Sequence, residues 1–385
     1  MPKVLTRDFL LLFLAQFTFS FVFQSLIPTL PIYLSRSGSN EVEIGLLVGI
    51  FFFSALVLRP FVGKALSRTP EKKFMITGSL LFALASLAYL IAPPFWPLLI
   101  VRLFQGIGFA FFHTAAFTLI ANISPEAHRG QSLSYFALAM SISGALGPSV
   151  GILLINHFSF TLLFLACSGL SFCALFFTCR LGKRQIVPLQ ASSVDEGFLL
   201  SPRAVPPSVI NSISLFVWGA LTAFFPLYAI NNGVSNPGFF FTTTAIMLIL
   251  GRALGGKILD LYSREKVILP CLITYVLSMV ILAFSKTLPM FILVALIWGI
   301  GNAFLAPALI ADALDRVGSS AGPAMGTFTA ISDLGLTTGP VIMGIILQST
   351  GYPVLFLSLA FMGVINLGYF CFFVRNRKFP RVGIS

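Results

Sequence analysis

Long apolar runs separated by short polar stretches set the pattern of hydrophobic and polar positions along this chain. A helix needs roughly 20 consecutive apolar residues to cross the hydrocarbon core of a bilayer. Twelve runs have about that length: 9–33, 43–65, 73–92, 95–121, 131–156, 159–180, 207–230, 237–257, 267–286, 289–313, 322–347 and 353–375. The pattern therefore predicts an all-α polytopic membrane protein with twelve transmembrane helices.

Composition supports the same class of protein. Hydrophobic residues make up 57% of the chain and charged residues only 9%, which is more apolar surface than a soluble core can bury. The five cysteines lie within or at the ends of the apolar runs, so we expect neither disulfides nor a metal site.

The positive charge is distributed unevenly across the membrane. The formal net charge is +12, and under the predicted helix count Arg36 and Lys286 are the cationic residues on one side, while those in the other loops and at both ends lie opposite. Cytoplasmic loops are enriched in Lys and Arg, so both termini are expected in the cytoplasm. This asymmetry accounts for the basic balance without a nucleic-acid partner.

The chain divides into two six-helix halves, residues 1–180 and 207–385, the second ending in a basic cytoplasmic tail. Residues 181–206 contain prolines and mixed charges without a sustained apolar period, which is typical of a cytoplasmic linker. The other loops are too short for a nucleotide-binding domain, and no GxxxxGK[ST] motif is present. We therefore expect no cofactor and no ATP-driven step.

One sequence pattern occurs twice, about 193 positions apart. Its paired members are Arg59 and Arg252, Gly63 and Gly256, Lys64 and Lys257, Lys73 and Lys266, Gly106 and Gly299, Gly108 and Gly301, Gly147 and Gly339, and Pro148 and Pro340. Internal repeats of this kind are common in secondary transporters, which bind their ligand at the interface between the repeats. The repeat predicts a central cavity between the two halves.

Three local motifs resemble those of the major facilitator superfamily, and the resemblance extends over essentially the whole chain. Arg102-x-x-x-Gly106-x-Gly108-x-Ala110 fits the RxxxGxGxA pattern of the fourth helix, and Gly147-Pro148-x-x-Gly151 is similar to the antiporter signature of the fifth. The loop after the second helix keeps Gly63, Arg68, Lys72 and Lys73, with Ser67 in place of the family's acid, whereas the second copy keeps the acid as Asp260. The resemblance is strongest to the bacterial branch that exports drugs and small molecules in exchange for protons, and it implies a monomer in the bacterial inner membrane.

Conformational roles are expected for the small and loop residues of these motifs. Glycines allow helix backbones to approach closely, and a proline permits a bend because it removes a backbone hydrogen bond. The candidates are Gly63, Arg68, Gly144, Gly147, Pro148, Gly151, Gly256, Asp260, Gly339 and Pro340. The alternative is ordinary close packing of helices.

Ionisable groups inside a bilayer are costly and usually functional. Asp333, in the middle of the eleventh run, is the main candidate for proton coupling, since a carboxyl group in the membrane can take up and release a proton. The alternative is a carboxylate held by Ser332, Thr329, Arg102 or a neighbouring helix.

The fourth run carries two further ionisable candidates on one helical face with Gly106 and Phe109. Arg102 could bind an anionic group or assist proton transfer, or it could be a structural cation. His113 could tune the charge of the cavity, although a simple hydrogen bond to a neighbouring helix is the favoured interpretation. At the end of the tenth run, Asp312, Asp315 and Arg316 are expected to form salt bridges.

Polar and aromatic stripes on the helices that line the cavity in the family complete the candidate site. The residues are Gln16, Ser20, Gln24, Gln105, Phe109, Asn211, Trp218, Thr222, Trp298 and Asn302. Trp298 and Phe109 could stack on an organic ligand, although each polar residue taken alone could equally join neighbouring helices.

These features favour a proton-coupled secondary transporter that exports a small organic molecule. An importer or symporter of a sugar, peptide or organic anion remains open, with Arg102 meeting a carboxylate or phosphate. A membrane-embedded enzyme lacks a catalytic constellation, since HExxH and paired acids are missing from the sequence, and nothing in it resembles the selectivity loop of a channel.

Overall fold

The computed structural model describes residues 6–66, 68–93, 95–124, 129–182, 201–317 and 321–374, and leaves the side chains of 129–131, 134, 252–260, 317 and 321–323 undescribed. The long helices of these segments are α1 (Arg7–Arg36), α2 (Glu41–Ala65), α3 (Glu71–Ala88), α4 (Trp96–Ile123), α5 (Arg129–His157), α6 (Phe160–Cys179), α7 (Val205–Asn231), α8 (Gly238–Leu261), α9 (Arg264–Phe284), α10 (Leu288–Val317), α11 (Ala321–Ser349) and α12 (Tyr352–Tyr369). Each apolar run predicted above coincides with one of these helices.

Ten helices in the described segments are long and apolar enough to cross a membrane. The other two long helices differ for identifiable reasons. Helix α3 has 18 residues and begins with the charged residues Glu71, Lys72 and Lys73. Helix α8 has 24 residues, of which Gly238–Gly251 form an apolar helix up to the residues whose side chains are not described. The all-helical membrane class is confirmed at this level.

Several helix ends follow from local sequence. The hydroxyl of Thr6 accepts a hydrogen bond from the Phe9 amide at 3.2 Å and caps α1. At α2, Asn40 Oδ1 accepts from the Glu43 amide at 2.9 Å, while Glu43 Oε2 accepts from the Asn40 amide at 3.1 Å. This reciprocal capping box gives Glu43 a structural role at the helix start.

The chain forms two compact units. The first comprises residues 1–39 and 50–192, and the second comprises residues 40–49 and 193–385. The start of α2 therefore belongs to the second unit, whereas the sequence had placed all of residues 1–180 together. Within the predicted linker, residues 183–200 lie outside the described residues.

The two units pair their helices in the same order. In the first unit α1 packs on α5 and α6, and α3 packs on α4 and α6. In the second unit α7 packs on α11 and α12, and α9 packs on α10 and α12. Every pairing in the first unit thus has its counterpart six helices later.

Several glycines of the sequence repeat lie where two helices come close together. A Cβ on Gly106 would meet Phe51 and Ser54 of α2, and one on Gly299 would lie 2.7 Å from the Met247 side chain of α8. A Cβ on Gly108 would lie 2.9 Å from the Gly78 carbonyl oxygen of α3. At Gly106 and Gly108 the neighbouring backbone comes too close for any side chain, whereas at Gly299 the nearest atoms belong to the Met247 side chain.

Candidate functional site

In the first unit, the polar residues of α4 form a buried cluster with α2. Arg102 is 6% exposed, and its guanidinium carbon lies 4.6 Å from the centre of the Phe51 ring. Its Nη1 donates to Gln105 Oε1 at 2.8 Å, and the Tyr89 hydroxyl donates to the same oxygen. These neighbours match the interpretation of Arg102 as a structural cation, and its role in coupling stays a prediction.

Phe109 lies between two basic side chains of the first unit. The His113 ring stacks on it with centroids 5.0 Å apart, and the guanidinium of Arg59 lies over it at 5.8 Å. Nε2 of His113 is also 3.4 Å from Sδ of Met140 on α5, the kind of contact with a neighbouring helix that the sequence favoured. His113 and Arg59 are both partly exposed, so this cluster presents a guanidinium and an imidazole at a surface of the unit.

A cleft of about 470 Å³ adjoins this cluster on α4. It is lined by His113, Thr114, Phe117, Thr118, Ala121 and Asn122. The lining combines one imidazole, two hydroxyl groups and an aromatic ring on one face of α4, and the Thr118 hydroxyl donates to the Thr114 carbonyl oxygen at 3.0 Å.

In the second unit, aromatic rings from α7, α9 and α10 form a stack. Trp298 lies between Tyr275, with centroids 3.9 Å apart, and Trp218, with centroids 6.4 Å apart. The Tyr275 hydroxyl donates to Asn302 Oδ1 at 3.0 Å. This arrangement brings together three of the predicted residues, Trp218, Trp298 and Asn302.

Burial bears on the expectation that Trp298 and Phe109 stack on an organic ligand. Trp298 has no exposed surface and Phe109 only 6%, so neither ring is free to stack on a ligand in this structure. Trp218 at the edge of the stack is partly exposed and is the better candidate for ligand contact. Trp298 packs beneath it and fixes its position.

Some of the remaining predicted polar residues are buried and hydrogen-bonded, and others are partly exposed. Gln16 donates to Ser20 at 2.7 Å, Asn211 donates to Ser332 at 2.8 Å, and Thr222 donates to the Gly219 carbonyl oxygen at 2.7 Å; all are buried. Gln24 on α1 is partly exposed. Of these hydrogen bonds, Asn211–Ser332 joins two helices, as the alternative interpretation stated, whereas each of the other two lies within a single helix.

Asp333 is partly exposed on α11, beside the Asn211–Ser332 hydrogen bond. The hydroxyl of Thr329 donates to backbone carbonyl oxygens of Met325 and Gly326, so its proton is directed away from the Asp333 carboxylate. The Thr337 hydroxyl donates to the Asp333 carbonyl oxygen at 3.0 Å. The location is compatible with proton coupling, which stays a prediction.

Salt bridges predicted at the end of α10 are confirmed. Arg316 Nε is 2.8 Å from Asp312 Oδ2, and Arg264 Nε at the start of α9 is 3.3 Å from Asp315 Oδ2. The Arg316–Asp312 pair lies within the last turns of α10, and the Arg264–Asp315 pair connects the start of α9 to the end of α10.

Three of the candidate conformational glycines pack against a neighbouring helix. On α5, a Cβ on Gly147 would lie 2.9 Å from Gln24 Cβ, and one on Gly151 would lie 2.9 Å from the Ser25 carbonyl oxygen of α1. Gly339 on α11 similarly faces the Phe216 backbone of α7. These faces pack helices within one unit, and nothing about their movement follows from the contacts.

The other conformational candidates have fewer observable contacts. Gly63 and Arg68 are exposed, and a Cβ on Gly63 would meet nothing within 4 Å. Pro148 is buried in α5 and Gly144 partly exposed. Pro340 packs against Gly45 and Gly219. The surroundings of Gly256 and of the Asp260 side chain lie outside the described residues.

Two site residues were missed by the sequence reasoning. Arg59 was noticed only as a member of the repeat, although a basic residue within an apolar run is itself a signal of function. Tyr275 lies on α9, a helix not expected to line the cavity, and no pattern in the sequence pointed to its contact with Trp298.

Comparison with known proteins agrees with the fold and the repeat. The sequence profile described as Major Facilitator Superfamily matches residues 12–249 and 207–384. The chain is 26% identical over 340 residues to the Staphylopine export protein of Staphylococcus aureus, covering 83% of this chain and 84% of that protein. It is 24% identical over 363 residues to Multidrug resistance protein 2 of Bacillus subtilis, covering 89% of each.

Among solved structures, the crystal structure of nucleoside transporter NupG resembles this fold. The TM-score is 0.80 at 15% sequence identity, over 95% of this chain and 98% of the other. At this identity the similarity concerns the fold alone.

Proposed function

We propose that this chain, which belongs to the Major Facilitator Superfamily, exports a small organic molecule in exchange for protons. It is a multi-pass membrane transporter, not an enzyme. The observation that carries the proposal is the match, over most of the chain, to relatives named as an export protein and a multidrug resistance protein. The antiporter-like Gly147-Pro148-x-x-Gly151 segment supports the same direction of transport.

The proposed architecture has twelve transmembrane helices in two pseudo-symmetric halves around a central cavity, which alternately opens to either side. The equivalent helix pairings of the two units support it. The distribution of Lys and Arg supports cytoplasmic termini in the inner membrane of a bacterium. The transporter functions as a monomer with its substrate and protons as partners.

Asp333 carries the proton in this scheme. A partly exposed carboxyl group on a membrane helix can exchange protons with a water-filled cavity. The charge of this group also alters the free-energy cost of moving the helix through lipid. Arg102 and His113 adjust the charge of the first unit. The ligand occupies the cavity with Trp218, Asn302 and Gln24 among its contacts.

The Arg59–Phe109–His113 cluster favours substrates that combine a carboxylate with an apolar or aromatic body. The Arg59 guanidinium can bind a carboxylate through charge-assisted hydrogen bonds. The His113 imidazole provides a second hydrogen-bond donor beside the same Phe109 ring. The adjoining cleft supplies the hydroxyl groups and the Phe117 ring for the rest of the molecule.

The test of transport uses everted membrane vesicles with a preset proton gradient and a pH-sensitive dye inside. We expect one class among cationic drugs, sugars, amino acids and metal-chelating organic acids to dissipate the gradient in vesicles that contain the protein. Vesicles without the protein are the control. Dissipation by none of these compounds, with the protein verified in the membrane, would contradict proton-coupled export.

Replacement Arg59→Gln should raise the KM for carboxylate-bearing compounds by about tenfold, because it removes one charge-assisted hydrogen bond. The matched control is Arg180→Gln, since Arg180 also lies over a phenylalanine ring, 5.0 Å from Phe176, but is exposed outside the cluster. Equal KM values in the two variants would show that Arg59 does not contact the substrate.

A further inference from the structure

A second cavity lies on the second unit, next to the helix segments that carry Tyr275 and Trp298. It has a volume of about 370 Å³, within the range of about 300–1,000 Å³ typical of small-molecule pockets. Its wall is formed by Tyr262, Lys266, Val267, Pro270, Cys271, Thr274, Ile300, Gly301 and Phe304. The cavity is therefore a groove between α9 and α10, reaching to the turn before α9.

The floor of the groove depends on a glycine. A Cβ on Gly301 would overlap the Thr274 hydroxyl and lie 3.3 Å from the Cys271 carbonyl oxygen. The Thr274 hydroxyl is itself directed to that carbonyl at 2.7 Å, which leaves the surface of the groove apolar. Ile300 is 45% exposed at its rim. The cavity is thus an apolar surface groove that is open to the surroundings of the protein.

Polar groups are concentrated at one end of this groove. Tyr262 and Lys266 are both exposed there, on the α8–α9 turn and the first turn of α9. Arg264 between them is engaged with Asp315 at 3.3 Å, whereas the described residues record no ion pair for Lys266. The mouth of the groove therefore presents an ammonium group and a phenol beside an apolar surface.

We propose that this groove binds one acyl chain of an anionic phospholipid, with the lipid phosphate at Lys266 and Tyr262. The surrounding medium is a bilayer, so the molecule that reaches an open apolar groove on this surface is a lipid. In the proposed orientation the mouth lies at the cytoplasmic leaflet, where anionic lipids attract basic residues near the surface. A lysine and a tyrosine at the interface are typical partners of a headgroup.

Native mass spectrometry of the detergent-purified full-length protein tests this proposal, with equal amounts of phosphatidylglycerol and phosphatidylcholine added. We expect phosphatidylglycerol to be retained preferentially. Lys266→Gln should lower its retention about fivefold, which corresponds to ~1 kcal/mol for one lysine near an anionic headgroup. The matched control is Lys286→Gln, an exposed lysine just beyond the opposite end of α9, which should leave retention unchanged.

Ile300→Trp tests the groove itself, because a larger side chain at the exposed rim fills it without entering the packed core. We expect lower retention of phosphatidylglycerol in a variant that melts at the wild-type temperature. Unchanged retention in Ile300→Trp would overturn the groove as the location of the acyl chain. Equal effects of Lys266→Gln and Lys286→Gln, or equal binding of the two lipids, would overturn the headgroup assignment. None of these measurements depends on transport.

Discussion

Asp333→Asn is expected to abolish gradient-driven transport and to leave exchange of substrate across the membrane intact. Asparagine has nearly the shape of aspartate but cannot take up a proton at any physiological pH. Substrate movement down its own gradient needs only the conformational change, so counterflow between labelled and unlabelled substrate should continue. The pH-dye assay in everted vesicles and a counterflow assay on the same preparation measure the two properties separately.

The matched control for Asp333 is Glu265→Gln, which removes an exposed carboxylate from the first turn of α9 in the same unit. It should change neither assay, because an exposed surface charge contributes little. Gradient-driven transport at the wild-type rate in Asp333→Asn would assign the proton to another group. Loss of counterflow as well would indicate that Asp333 holds the helices together rather than couples them to protons.

Helices could be predicted from the sequence because lipid imposes one simple requirement. Every backbone polar group must be paired inside a spanning segment, so a long apolar run can only be a helix. The ends of the helices were harder to predict from the sequence. Helix α1 extends to Arg36, beyond the apolar run that ends at Tyr33. The hydrogen bonds of Ser37 to the last turn of α1 determine that end and leave no hydrophobic signal.

The candidate site was only partly predictable, since periodicity identifies which residues share a face and not what that face contacts. Gln16 and Ser20 were expected to line a cavity because they lie four residues apart, and the structure pairs them with each other in a buried position. Trp298 was expected at a ligand, yet Tyr275 covers it from a different helix. Contacts between distant segments depend on the three-dimensional packing, which a single helix pattern does not contain.

Gly106, Gly147 and Gly339 of the repeat lie at close approaches between helices, whereas Gly63 does not, and their neighbours came only from the structure. Gly147 and Gly339 occupy equivalent positions in the repeat, and both face the first helix of their own unit. The sequence reasoning assigned them to a moving interface. The observed contacts give them a packing role in addition, and that role has a measurable consequence.

Gly339→Leu should destabilise the second unit by about 3 kcal/mol or more, the upper part of the range for overpacked sites. A Cβ at this position would overlap the Phe216 carbonyl oxygen and lie 3.0 Å from the Phe216 Cα, so a backbone rather than a flexible side chain would have to move. Helices α7 and α11 would separate along their shared face. The melting temperature of the detergent-purified protein and its abundance in membranes measure the effect.

The control for Gly339 is Gly326→Leu on the same helix. A Cβ on Gly326 would meet no atom within 4 Å, so the same leucine is expected to leave melting and abundance unchanged. Comparing the two variants separates the steric effect from any general cost or gain of replacing glycine in α11, since both remove the same backbone freedom. A wild-type melting temperature in both variants would show that α7 and α11 are not closely packed at Gly339. A folded Gly339→Leu protein that binds substrate but does not transport it would instead restore the moving interface expected from the sequence.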